Sequence, residues 1–322
     1  MIAWKCFEMH SHTRHSDGEF TPEELLRYAR KFLYDGIALT DHNTMSGLDA
    51  LGPEEERIPV LPGIEWTTYY GHMLVLGADT YVDWRSARPD TIDEYTGAIK
   101  RAGGLIGIAH PFNLGGPLCT GCHWDFQVKN WDNIDYIEVW SEPHPQRHFK
   151  NHLAFQWWTD LLNQGRRLAA TAGWDWHGPA EPGQTLPSAT WLGLREGDFR
   201  LAGLREALGA GRVLVSSGPF PDIRLLQGEK RLYPGDTLER GPFHLRVAVD
   251  DTKRRAIWDS FDIRTERLCL VHNGKPVKSV PAASPWEESF DLAPGWIRLE
   301  GYGSLKADQD QLLFFSSPYY LG

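Results

Sequence analysis

Cysteine and methionine are scarce in this chain, four of each in 322 residues. Cys6, Cys119, Cys122 and Cys269 are too few and too scattered for a disulfide framework. No window approaches the ~18 apolar residues that a membrane span needs. The N-terminus has no basic segment leading into an apolar stretch, and Met1–Met9 reads as a strand, so no signal peptide is expected and the expected address is cytoplasmic. Internal repeats and low-complexity runs are absent as well. Positive charge is in deficit: 33 Lys+Arg stand against 43 Asp+Glu, a formal net charge of -10. Up to Ser216 the ratio is 19 to 28, and beyond it 14 to 15, so the acidity belongs to the N-terminal part. Nucleic-acid binders draw most of their affinity from neutralising phosphates with a basic stripe. A long polyanion is therefore a disfavoured partner, although divalent cations bound in a cleft would reverse the local sign.

What the chain does have is an ordinary globular composition, 41% hydrophobic and 24% charged, with length enough for two domains. Up to about residue 216, short apolar strands alternate with helical stretches. Lys5–Met9, Ile37–Thr40, Pro59–Gly63, Leu105–Ala109, Asp135–Val139, Leu168–Ala172 and Val213–Val215 read as buried parallel strands. Thr21-Pro22-Glu23-Glu24 predicts a capping box with proline at the first helical position, and Thr91-Ile92-Asp93-Glu94 repeats it. His148–Asn163 and Leu201–Leu208 supply two more helices. Seven strand–helix units in succession predict a barrel-like α/β domain over residues 1–216. From Ser217 to Gly322, six short strands separated by turn signals such as Asn273-Gly274 and Pro294-Gly295 predict a small all-β sandwich without helices.

Polar residues gather at the C-terminal ends of the parallel strands, the face where barrel enzymes keep their chemistry. His10-Ser11-His12, Asp17, His42, Glu65, His72, His110 and Asp175-Trp176-His177 all fall there. Side chains on a strand alternate with period two, so His10 and His12 share a side, as do Asp175 and His177. Neutral imidazoles mixed with carboxylates suit Zn²⁺, Mn²⁺ and Fe²⁺, and a shared carboxylate bridges two ions. Closely spaced ions turn a water into hydroxide near neutral pH and clamp the attacking and leaving oxygens. Nine such residues at separate strand ends, or paired two apart, are more than the scattered polar decoration of unrelated loops.

His-Ser-His-Thr-Arg-His-Ser-Asp-Gly, Thr-Asp-His-Asn, Gly-Ile-Glu, Gly-His, Ala-His-Pro and Asp-Trp-His occur here in the order in which they resemble the motifs of the PHP (polymerase and histidinol phosphatase) family. That resemblance implies a distorted seven-stranded (β/α) barrel, followed here by the β-sandwich, and up to three divalent ions of Mn, Fe or Zn. Carried over position by position, His10, His12, Glu65 and Asp175 would hold the first ion. Glu65 would bridge to a second, held with His72 and His110, and Asp17, His42 and His177 would hold a third. The stretch Gly211-Arg212 to Ser216-Ser217-Gly218-Pro219, with Ser317-Pro318-Tyr319 near the end, resembles the CehA/McbA-type branch, which is named for a carbamate-pesticide hydrolase. The expected activity is metal-dependent hydrolysis of a small, anionic phosphoester. Carbamate or carboxyl-ester hydrolysis, a nuclease or exonuclease, and a non-catalytic metal-bearing binding module are the alternatives.

Other signals stay double-edged. His144 and Arg147, in the loop after the fifth strand, read either as leaving-group acid and anion clamp or as part of a helix-capping loop. Arg14 reads as a bidentate anion ligand or a surface arginine. His15 points away from His10 and His12, towards a supporting role or solvent. Trp140, Trp174 and Trp176 either wall the pocket or pack the core. Cys119-Thr-Gly-Cys122-His123 fits a haem-attachment pattern, but no export signal or distal ligand accompanies it. An auxiliary zinc loop and an ordinary loop are the other readings.

Overall fold

The computed structural model describes residues 2–53, 58–115, 120–196, 198–282 and 285–322. Cys119 of the expected cysteine pair lies outside them. The chain begins with β1 (Ile2–Glu8), which pairs in parallel with β2 (Gly36–Leu39), and β2 pairs likewise with β3 (Val60–Thr67). Next come β4 (His72–Leu76), β5 (Leu105–Ile108), β6 (Tyr136–Ser141) and β7 (Ala169–Gly173), each hydrogen-bonded to the one before. β4 is antiparallel to both neighbours. The four residues between β3 and β4 cannot make the long crossover that a parallel pair requires. On the other edge of β1 lie β8 (Ala189–Arg195) and β9 (Val213–Ser216), both antiparallel. Val213–Val215, expected to be parallel, is thus antiparallel, and β8 has no counterpart among the expected strands.

The covering helices are α1 (Pro22–Lys31), the four-residue α2 (Ser46–Asp49), α3 (Ile92–Arg101), α4 (Phe149–Asn163) and α5 (Leu201–Gly209). Thr21 forms the full capping box on α1, with Leu25, Leu26 and Ala29 buried beneath. Thr91 does not repeat it. Its hydroxyl engages the backbone of Arg88 in the preceding turn, a local competitor for the same side chain.

The C-terminal part holds β10 (Phe220–Gln227), β11 (Lys230–Leu232), β12 (Thr237–Leu238), β13 (Phe243–Asp250), α6 (Arg255–Trp258), β14 (Ile263–His272), β15 (Lys275–Pro281), β16 (Trp286–Phe290), β17 (Gly295–Leu305), β18 (Asp308–Ser316) and β19 (Tyr319–Leu321). A short helical turn therefore interrupts strands expected to run without one. β11, β10, β13 and β16 form a separate four-stranded sheet. The remaining strands join the large sheet, because β18 pairs antiparallel with β9 at Phe314↔Ser216. The result is an α/β fold with one 15-stranded sheet and a second small sheet packed over it.

The strand path from β1 to β7 curls until its ends meet. Ser11 pairs with Trp176 in a parallel bridge, with His12 N–H donating to Trp176 O at 2.9 Å and Trp176 N–H to His10 O at 3.0 Å. Below that point Thr190 on β8 fills the seam, its hydroxyl accepting from Ala172 N–H and donating to Ala172 O, both at 2.8 Å.

Candidate metal centre

The closure at Ser11 and Trp176 sets two motif-bearing segments side by side, and a second isolated bridge joins His42 to Glu65. Asp41 ties down the loop that carries Asp17, accepting from Thr13 N–H, Thr13 Oγ1 and Ser16 Oγ, each at 2.7 Å. His110 and Asp175 hold positive φ angles of 25° and 55°, which side-chain-bearing residues rarely adopt. Such strain persists where surrounding structure enforces it, characteristically at functional sites. Here it turns both side chains off their strands into the cluster.

All nine residues singled out from the motifs come together, in three overlapping groups. His10, His12, Glu65 and Asp175 form one, and Glu65, His72 and His110 a second. Asp17, His42 and His177 form a third, which His12 also reaches. Within each group, one ligand-type atom per residue lies within 4.8 Å of all the others. Glu65 is fully buried and sits at the junction: Oε1 is 2.8 Å from His72 Nδ1 and 3.0 Å from His110 Nε2, while Oε2 is 3.1 Å from His10 Nε2 and 3.3 Å from His12 Nε2. Burial falls off towards the third group, where the Asp17 side chain is 56% exposed and that of His177 37%.

Several of these close pairs are not hydrogen bonds. His10 Nε2, both ring nitrogens of His12, Glu65 Oε2 and Asp175 Oδ1 are buried with no hydrogen-bond partner, although Asp175 Oδ1 lies 3.3 Å from His10 Nε2 and 3.1 Å from His12 Nε2. Orphaned buried polar atoms are costly unless something else satisfies them. Ligand atoms about 2.0–2.2 Å from a tetrahedral ion stand roughly 3.4 Å apart, close to the separations observed. The residues present therefore fit divalent ions.

Ionisation agrees. Burial would push the Glu65 and Asp175 carboxyls up, but His10 with its neighbouring histidines holds both well below the ordinary range. Burial keeps the His12 imidazole lowered, which favours the neutral ligand form. Burial opposes charge on His42 too, yet Glu65 and Asp17 push it up to about 10. Contacts behind the rings select which nitrogen faces inward. His177 Nδ1–H donates to Asp175 O at 2.8 Å and His72 Nε2–H to Thr120 O at 3.2 Å, leaving His177 Nε2 and His72 Nδ1 for the cluster.

Two buried carboxylates went unnoticed in the sequence. Glu138, midway along β6, accepts from His10 Nδ1–H at 3.0 Å through Oε1 and from His110 N–H at 2.9 Å through Oε2. Glu8 accepts from His10 N–H at 2.9 Å and Trp174 N–H at 2.7 Å, and burial pushes its carboxyl up to about 7. A lone acid inside an apolar strand, as in Tyr136-Ile-Glu138-Val-Trp140, was the signal available. There is no slack behind His10, since a Cβ on Gly173 would lie 2.2 Å from Glu138 Oε1 and 2.5 Å from His10 Cβ. Glu138→Gln keeps the shape but turns one acceptor oxygen into a donor. We expect it to weaken metal affinity about 10- to 100-fold with the fold intact, measured by competition with a chromogenic chelator. Unchanged affinity would remove Glu138 from the ligand-orienting role.

Beside Asp175 opens a cleft of about 650 Å³, lined among others by Phe112, Leu114, Arg147, His148, Phe149 and Lys150. Arg147 is half-exposed there, with a distant ion pair to Asp308 at 4.0 Å, and Lys150 pairs with Glu142. His144 lies elsewhere. It adopts a left-handed conformation, its ring is 5.5 Å from that of Phe261, and burial lowers its pKa. Arg14 is on the loop near Asp17, its Nε–H donating to Glu19 O at 2.7 Å. His15 bonds Ser46 Oγ at 2.8 Å. Trp174 and Trp176 stack at 4.2 Å within the core, and Trp140 meets Phe315 edge-on, so all three are packing residues.

Residues 8–127 match the PHP domain family. The 5′-3′ exoribonuclease Rnm of Escherichia coli is 33% identical over 213 residues, 58% of this chain and 68% of that protein. Against the Salmonella typhimurium Rnm the match is 33% over 81 residues, 23% of this chain but only 28% of the relative's length. A 3′,5′-nucleoside bisphosphate phosphatase of Chromobacterium violaceum is 29% identical over 45% of this chain and 48% of its own. Among solved structures, a two-domain Bacteroides vulgatus protein described as containing a predicted PHP-like metal-dependent phosphoesterase superposes with a TM-score of 0.54. That superposition covers 98% of this chain and 95% of the other at 15% identity, a likeness of fold that includes the C-terminal part. The chain belongs to the PHP domain family.

Proposed function

We propose that the protein is a metal-dependent phosphoesterase that hydrolyses a small phosphoester at a three-ion centre. His10, His12, Glu65 and Asp175 would hold the first ion, Glu65, His72 and His110 the second, and Asp17, His42 and His177 the third. Residues 1–216 would form the metallohydrolase domain, β1 to β7 making its seven-stranded barrel, and 217–322 the β accessory domain. The observation that carries this reading is Glu65: a fully buried carboxylate with both oxygens among histidines of separate groups, at distances that suit shared coordination. Ions bound there would acidify a water and neutralise charge on the phosphoryl oxygens.

The chain's own residues would do the rest. Glu138 and the carbonyl of Asp175 fix ring orientations. Arg147, on the rim of the cleft, offers a guanidinium to the substrate's anionic oxygens, and this reading rests on Arg147 rather than on His144. Phe149 and Leu114, both strongly exposed at the same rim, would receive an apolar leaving group. The names of the relatives denote chemistry on RNA and on nucleoside bisphosphates, which favours phosphoester over carbamate. Exonuclease action on a strand end is the second reading, supported by the Rnm match and opposed by the acidic N-terminal part.

The test is a side-by-side assay of a phosphomonoester, a phosphodiester and an aryl carbamate. Turnover of a phosphoester is expected to exceed that of the carbamate at least 100-fold, to vanish on chelation and to return with Mn²⁺. Arg147→Ala should raise KM about fivefold or more while kcat changes little, the signature of lost ground-state binding. Carbamate turnover alone, or activity indifferent to chelation, would overturn the proposal.

A further inference from the structure

A second cleft, of about 640 Å³, lies where the C-terminal end of α4 meets β14, β15, β17 and β19. It is separate from the metal centre and shares no lining residue with the cleft beside Asp175. The 15-residue helix connects the two: Phe149 and Lys150 border the metal cleft, and Leu162 and Asn163 border this one, roughly 20 Å along the axis.

Its lining is electrostatically one-sided. Arg166, His272 and Lys275 contribute to it, and no Asp or Glu does, in a chain where acids outnumber bases by 43 to 33. Among the described residues no carboxylate pairs with any of the three. Several arginines elsewhere do hold carboxylates: Arg195 and Arg212 share Glu206, Arg246 holds Glu287 and Arg298 holds Glu300. Two nitrogens of residues that line the cleft, Arg166 Nε and His272 Nε2, are buried without any hydrogen-bond partner. A buried donor left unmatched is expensive, and a ligand that accepts from it removes that cost. The side-chain amides of Asn163 and Asn273 are already oriented, their Oδ1 atoms accepting from Trp296 Nε1 at 3.0 Å and Trp296 N–H at 2.9 Å. Their NH₂ groups add donors. Val277, Leu162 and Tyr320 supply apolar wall.

Structural explanations for the three basic side chains fall short. Arg166 follows the C-terminus of α4, where a cation complements the partial negative charge of the last carbonyls. But Gln164, Gly165 and Arg166 already return backbone N–H groups to that last turn, and neither Lys275 nor His272 belongs to the helix. Solvating a lone surface lysine needs no explanation; three converging cationic or donor side chains over a walled cavity, two with buried orphan atoms, do.

We propose that this cleft is a binding site for a small phosphorylated ligand, its phosphate gripped by Arg166, His272 and Lys275 and a flat apolar portion lying along Val277 and Tyr320. The site does not depend on the metals. It stands or falls separately from the catalytic reading.

The experiment titrates inorganic phosphate, then phenylphosphonate, into the metal-loaded full-length protein by calorimetry, with the Arg166→Ala/Lys275→Ala double variant alongside. Lys275 is exposed and Arg166 half-buried, and an unchanged circular dichroism spectrum and Tm of the double variant check the fold. Wild type should show a binding event that the double variant weakens at least tenfold, while any event at the metal centre stays unchanged. Phenylphosphonate, whose C–P bond resists hydrolysis, should bind the affected site at least fivefold tighter than phosphate. A double variant with wild-type stoichiometry and affinity would overturn the site. Equal affinity for the two probes would overturn the apolar half of the assignment.

Discussion

Glu65→Ala is expected to cost more metal and more activity than any other single substitution in the cluster. Without that side chain the first group retains His10, His12 and Asp175, and the second retains only two imidazoles, His72 and His110. The loss also removes the carboxylate charge that offsets repulsion between neighbouring ions, in a fully buried setting where little water is on hand to screen it. Asp17→Ala makes the contrast. Asp17 belongs to the third group alone and is more than half exposed, so its removal should empty one site and leave two. We expect metal content near two equivalents for Asp17→Ala and one or fewer for Glu65→Ala, read by elemental analysis after gel filtration. Turnover by Glu65→Ala should fall about a thousandfold or more, on the order of 4 kcal/mol in the barrier. Circular dichroism should be unchanged, because the substitution removes only side-chain contacts to histidines and leaves the backbone pairing of Glu65 with Leu74 in place. Full metal and substantial turnover in Glu65→Ala would sink the shared-ligand assignment together with the mechanism that depends on it.

The ligand cluster was legible because its residues stand out one by one. Histidines and acids at strand ends, spaced two apart as in His10/His12 and Asp175/His177, are conspicuous against apolar strands, and alternation alone says which of them share a side. Glu8 and Glu138 carry equal structural weight but sit within strands, where only a fold shows what lies behind them. His144 illustrates the opposite failure. Residue spacing put it on the same loop as Arg147, yet a left-handed turn between Pro143 and Pro145 sends its ring to Phe261 while His148 and Lys150 reach the cleft. The strands beyond residue 216 were mostly recognised as strands. Their partners were not, because antiparallel pairing between segments a hundred residues apart leaves no periodicity to read. The same limit hid β8: it lies between two loops, and only its pairing with β1 and β9 marks it as part of the sheet.

That long-range pairing has an energetic consequence, and Phe315 exposes it. The residue belongs to β18, deep in the C-terminal part, yet its ring is fully buried against the N-terminal part. It lies 4.9 Å from Trp140 on β6, and 5.0 Å and 5.9 Å from Phe155 and Trp158 on α4. Hydrogen bonds cross the same boundary: Ala170 N–H donates to Ser317 Oγ at 3.1 Å, and Gln146 Nε2–H to Leu312 O at 2.9 Å. Truncating a buried phenylalanine costs about 3–5 kcal/mol through lost transfer energy and the cavity left behind. At ~2–4 °C per kcal/mol for a chain of this size, Phe315→Ala should lower Tm by on the order of 10 °C. Because the ring is shared, the metal-loaded protein should still unfold in one transition, and metal release should follow it to the lower temperature. By the same reasoning a chain ending at Ser216 would leave β9 without its β18 partner and bare the surface around Trp140 and Phe155, so it should aggregate rather than fold. The decisive comparison is calorimetry beside metal release for wild type and Phe315→Ala. If the variant splits into two transitions, with metal retained to the wild-type temperature, then the C-terminal strands form an independent unit and the shared-core account fails.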